Sequence, residues 1–267
     1  MKKAFVAINV LVVMLATLGV AHAEISSISD AINKAGRQRM LTQRIYKAYC
    51  MIGVDVQADN ARRQLDNAVR LFEKQLQELL EYSPNGKIRT GLLKVRKLWQ
   101  PFKHTITGQV NAGVAKGLLE ANDELLRAAN KVVVLLEMHS GSSVGRLVNI
   151  SGRQRMLSQR LAKFYMLRAW GVDDPGIRSE MEQAKNEFKG ALSELRSAPE
   201  NTTEIKQALE HAHADWTLFK HGLERNEKKL VPLIVGMTSE KLLKRMNGIT
   251  ALYSSLPPVV NTTSIRH

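Results

Sequence analysis

The chain is written twice. Residues 32–49 read INKAGRQRMLTQRIYKAY and residues 148–165 read VNISGRQRMLSQRLAKFY, identical at 11 of 18 positions at an offset of 116. Farther along, Trp99-Gln100-Pro101-Phe102-Lys103-His104 returns as Trp216-Thr217-Leu218-Phe219-Lys220-His221. Between these landmarks Leu65, Ala68, Phe72, Leu76 and Leu79 return as Met181, Ala184, Phe188, Leu192 and Leu195. Such a duplication means that whatever the first copy builds, the second must build again.

Each copy reads as four amphipathic helices. Apolar residues recur every three or four positions, alternating strand-type runs are missing, and aromatic residues make up only 5%. The helices are expected near 26–52, 57–82, 87–108 and 114–139, then near 145–170, 176–197, 202–229 and 236–255. Breaks fall at Ser83-Pro84-Asn85-Gly86 and at Asp173-Asp174-Pro175-Gly176, and Asn201 followed by Glu204 resembles a helix-start cap. The fold class is therefore all-α: two tandem antiparallel four-helix bundles, covering 24–140 and 141–256, with 257–267 a disordered tail. The join, His139 to Gly145, leaves two arrangements open. Its Gly and Ser residues form a turn that lays the copies side by side, or the fourth helix runs on into the fifth.

Residues 1–23 read as an export signal: Lys2 and Lys3, an apolar run from Ala4 to Val20, and the cleavage pattern Ala21-His22-Ala23. No later segment reaches spanning length without charges, so a periplasmic product beginning near Glu24 is expected. The net charge is +14, or +12 once Lys2 and Lys3 are removed. That excess favours anionic partners, and export argues against nucleic acid. The lone Cys50 has no partner for an internal disulfide and reads as a small apolar residue. The sequence carries no haem site, phosphate loop or nucleophile elbow, and no metal or other cofactor is expected. His211 and His213 are spaced for different helix sides, and His104 and His221 have no ligand-type neighbour at helical spacing. Trp99, Phe102, Trp216 and Phe219 read as core anchors.

The informative segment is Asn-x-x-Gly-Arg-Gln-Arg-Met-Leu-(Thr/Ser)-Gln-Arg, at 33–44 and 149–160. On a helix it places Ile28, Ile32, Ala35, Gly36, Arg39, Met40 and Gln43 on one face, with Arg37 and Arg44 on a flank. Arg39 thus projects from a largely apolar face, and Arg155 does the same beside Gly152 and Gln159. A charge aimed into a bundle needs a carboxylate or a bound anion. A mid-helix glycine costs about 1 kcal/mol relative to alanine, so it calls for a reason such as a close neighbour. Structural salt bridges are the competing reading of these arginines.

This segment resembles the signature of the PilJ-type sensory domain of type IV pilus chemotaxis transducers. It is also similar to the first-helix segment of the NarX/NarQ nitrate sensor kinases. The resemblance covers nearly all of the chain past the signal, one domain per copy. In the nitrate sensors the arginine of Gly-x-x-Arg-Met, with backbone near the glycine, holds nitrate between two helices of a dimer. The resemblance thus implies ligand-binding roles for Gly36, Arg39 and Met40, and for Gly152, Arg155 and Met156. Gln43 and Gln159 share that face. Arg37, Arg44, Arg153 and Arg160 are candidate auxiliary anion contacts, Arg37 and Arg153 standing where nitrate sensors commonly carry a small residue.

The reading that follows is a non-enzymatic, soluble periplasmic sensory protein that recognises a small oxyanion such as nitrate or nitrite. No kinase or methyl-accepting segment is read in the chain, so relay through a membrane receptor or a pilus or chemotaxis component is expected. The tandem copies would act as an internal pseudo-dimer with Arg39 opposite Arg155; a homodimer of whole chains would build such a site instead. The competing class is a non-catalytic adaptor of the envelope or pilus system that binds an acidic partner through many basic residues.

Overall fold

The computed structural model describes residues 25–172, 174–224 and 231–257. The expected signal segment 1–23 and all of the expected tail but Pro257 lie outside the described residues. The described chain forms α1 (Ile28–Gly53), α2 (Ala58–Tyr82), α3 (Gly86–Ile106), α4 (Ala112–Ser140), α5 (Ser143–Ala169), α6 (Pro175–Ser197), α7 (Thr203–Leu223) and α8 (Pro232–Ser254). The architecture is all-α, with no strand among the described residues.

Local chemistry sets the helix ends. Asn85 caps α3 and Asn111 caps α4, their side chains accepting backbone N–H groups of the first turn. Asp174 does the same for α6, with Pro175 in the first turn where its missing N–H costs nothing. Asn201 is not the cap of α7. Thr202 takes that role, while Asn201 is buried, donates to the Leu195 carbonyl and accepts from the Tyr253 hydroxyl. The last helix begins at Pro232, four residues before the expected 236, because proline is well suited to a first turn. The expected extension of the seventh helix to 229 falls partly on residues 225–230, outside the described residues; α7 itself ends at Leu223.

The join is a turn. Gly141 adopts φ +58°, which ends α4, and Ser142 caps α5 through the Gly145 N–H. The chain reverses, and the two copies lie side by side.

Within each copy the first helix packs on the second and fourth, and the third packs on the fourth. The most extensive packing in the molecule is between the two first helices, α1 and α5. They run parallel with equivalent positions facing: Gly36 lies against Gly152, and Gly53 against the Trp170 ring. A methyl group on Gly53 would stand 2.1 Å from that ring, so glycine is required there.

Because each first helix is covered by its own copy and by the other, both are buried on almost every side. The first helix carries two apolar faces, one with Ile32, Ala35 and Met40 and one with Leu41, Ile45 and Ala48, and all six residues are buried, unlike a helix with a single apolar stripe. The other helices keep that pattern: Leu65, Ala68, Phe72, Leu76 and Leu79 are all buried along α2. Phe72 stacks on Trp99, and Phe188 stacks on Trp216 in the second copy, so these rings are core anchors. One continuous apolar cluster runs through both copies.

A candidate anion site at the seam

Burial of α1 and α5 carries polar side chains into the interior. Arg39 is 1% exposed and Arg155 is wholly buried. Each arginine reaches across the seam to the other copy. Arg39 donates to the Asn149 carbonyl of α5 at 3.2 Å and to Asn130 Oδ1 of α4 at 2.7 Å. Arg155 donates to the Asn33 carbonyl of α1 at 3.1 Å and to Asn33 Oδ1 at 2.8 Å. It also donates to Asn247 Oδ1 of α8 at 3.3 Å, the counterpart of the Asn130 contact.

The two guanidinium groups converge on the paired glycines. A Cβ on Gly36 would lie 3.2 Å from Arg155 Nη2 and 3.5 Å from Arg39 Nη2. A Cβ on Gly152 would lie 3.0 Å from Arg155 Nη2 and 3.6 Å from Arg39 Nη2. The glycines are therefore where they are so that two arginines can share one place. Their Nε atoms are buried without a hydrogen-bond partner.

No carboxylate of the described residues makes an ion pair with either arginine. Glu137 is near enough to favour the charged form of Arg39, yet it takes the Asn149 amide instead. Burial, followed by the charge of Arg153, pushes Arg39 down to about 9. Burial, then Arg37 and Arg39, hold Arg155 well below the usual arginine range. Two like charges in a buried seam, bonded only to neutral amides and carbonyls, are electrostatically suited to an anion.

The remaining motif residues are distributed around this centre. Met40 and Met156 are buried beside it. Gln43 donates to Asn122 Oδ1 and Gln159 to the Ser239 carbonyl, and each leaves its side-chain oxygen without a partner. Arg44 pairs with Glu240 at 2.6 Å, Arg153 with Glu187 at 2.9 Å, and Arg160 with Glu180 and Asp123. Arg37 is half-buried, and burial lowers its pKa against the opposing charges of Asp30 and Glu78.

Sequence reasoning missed the asparagines and a second polar layer. Asn33 and Asn149 open the repeated motif, and Asn130 and Asn247 recur at an offset of 117 as the ends of LLRAAN and LLKRMN. That recurrence was the signal. One turn beyond Gln43 and Gln159, Lys47 and Lys163 are both fully buried. Lys47 reaches Glu240 of α8 at 2.5 Å, whereas Lys163 bonds Asn122 of α4 and has Asp123 only at 3.9 Å. Burial outweighs Asp123 and pushes Lys163 down to about 7. Cys50 is buried and its pKa is raised by burial. No helix among the described residues is long and apolar enough to cross a membrane.

The family model described as "PilJ: Type IV pili methyl-accepting chemotaxis transducer N-term" matches residues 21–128 and again residues 137–235. No curated protein and no solved structure matches the chain.

Proposed function

The chain belongs to the PilJ family of type IV pili methyl-accepting chemotaxis transducer N-terminal domains, and from that premise we propose that it is a periplasmic sensory protein that recognises a small oxyanion. The observation that carries this reading is the pair Arg39 and Arg155, buried face to face across the seam with neutral partners alone. Guanidinium is charged at neutral pH and presents a planar fork that matches nitrate, nitrite or carboxylate-like geometry. The internal duplication supplies from one chain the two arginines that a dimer would otherwise bring together.

Mechanistically, an anion between the guanidiniums cancels their repulsion and draws α1 and α5 together. Arg39 holds α4 through Asn130, and Arg155 holds α8 through Asn247. The fourth helix of each copy therefore feels whether the site is filled. A membrane receptor or pilus component that docks on those helices would read the state by population shift.

The test is calorimetric titration of residues 24–267 with nitrate, nitrite, sulfate and chloride at low ionic strength. Saturable binding of one anion, lost in both Arg39→Ala and Arg155→Ala, is the expected result. The adaptor reading expects no such heat, and expects binding to an acidic partner that weakens with salt and is spread over many basic residues.

A further inference from the structure

The two copies differ at one place where the repeat predicts sameness. In the first copy the Glu73 carboxylate sits between α2 and α3. It accepts from Trp99 Nε1 at 3.3 Å and from Lys103 Nζ at 2.6 Å. Trp99 in turn stacks on Phe72 with ring centroids 4.0 Å apart. In the second copy the same stack is rebuilt by Trp216 on Phe188 at 4.1 Å, and Lys220 replaces Lys103. Glu73, however, is replaced by Lys189. The two donors are kept, the acceptor is gone, and a further cation stands in its place.

The consequence is a groove of about 490 Å³ between α6 and α7, lined by Lys185, Lys189, Arg196, Trp216 and Lys220 among others. Among the described residues Lys189 has no ion-pair partner and the Trp216 indole N–H has no acceptor. Among the described residues Lys220 pairs only with Glu224, one turn on, at 3.5 Å instead of the 2.6 Å contact of Lys103. A carboxylate at the position corresponding to that of Glu73 would satisfy all three groups, and Trp216 and Leu192 give an apolar floor for the rest of the molecule.

We propose that this groove is a second ligand site, independent of the arginine seam, which binds a small organic carboxylate. Its volume is that of a small-molecule pocket. Glu182 and Glu224 also line the groove, and their charge opposes an acidic polypeptide running along it. The ligand's carboxylate accepts from Trp216 Nε1 and pairs with Lys220 and Lys189, while its carbon skeleton lies on the indole.

The test follows the indole N–H resonances of the full mature chain by NMR. Trp99, already bonded to Glu73, is the internal control. Benzoate and acetate are the probes, with benzamide and chloride as neutral and ionic-strength controls. Benzoate should move the Trp216 resonance downfield and saturably, leaving Trp99 still, and benzamide and chloride should not. Lys189→Ala should weaken benzoate binding about tenfold, as expected for one charge-assisted contact. Lys189→Glu should place the Trp216 resonance where Trp99 lies without any ligand and should abolish the titration. The proposal is overturned if neither carboxylate moves Trp216, if Lys189→Glu leaves its resonance and the titration unchanged, or if hexaglutamate binds better than benzoate.

Discussion

Arg39 and Arg155 carry charge to where water does not follow, and Lys47 and Lys163 do so again one layer on. Desolvation of such groups costs several kcal/mol each unless a partner compensates. The second copy compensates less well at Lys163, because Asp123 is one methylene shorter than Glu240, which serves Lys47. Lys163 is held at about 7 in the fold, against about 10.4 for a free lysine. The unfolded chain therefore keeps a proton that the folded chain sheds, and stability rises as pH is raised from about 7 towards 10. Urea melts at pH 7 and pH 9 should show this rise, and Lys163→Met should flatten it and be the more stable form at pH 7. A Lys163→Met protein with the wild-type pH slope would remove Lys163 as its source. At this scale the arginines were legible, since charge on an apolar face is anomalous. The asparagines were not, because an Asn is normal on a surface and only its recurrence at the repeat offset marks it.

For helices, periodicity gave the type of all eight described helices and the length of every one but α7 to within a few residues, and turn punctuation gave the breaks before α3 and α6. It did not reveal that α1 and α5 are covered on nearly every side. A helix packed by two units at once loses its polar face, so single-helix amphipathicity understates its burial. Gly36 and Gly152 belong to this scale, because each is set by the helix opposite. Gly152→Ala should leave the protein folded, gaining up to about 1 kcal/mol in helix propensity. The methyl at 3.0 Å from Arg155 Nη2 displaces that guanidinium, and anion affinity should fall at least tenfold in the same titration. Unchanged affinity would separate the glycines from the site. At the turn, Gly141→Ala should cost about 1 kcal/mol in chemical denaturation, since φ +58° disfavours any side chain.

As a molecule, the chain packs two copies of one four-helix unit against each other along α1 and α5. The parallel α1–α5 seam, the crossed Arg–Asn bonds and the crossed lysines (Lys47 to α8, Lys163 to α4) all follow from a duplication folded on itself. Sequence alone showed the duplication; it left the side-by-side arrangement open because a Gly/Ser join permits either geometry. An anion that binds only the folded seam should raise stability by about 2.7 kcal/mol at a hundredfold excess over Kd. Arg39→Ala should melt at the same temperature with or without it. The most direct measurement is a crystal structure of residues 24–267 grown with the anion that binds. One ion per chain, accepting from both Arg39 and Arg155 beside Gly36 and Gly152, is the predicted result. Arginines that keep their asparagine contacts with no ion between them, in crystals saturated with that anion, would contradict it.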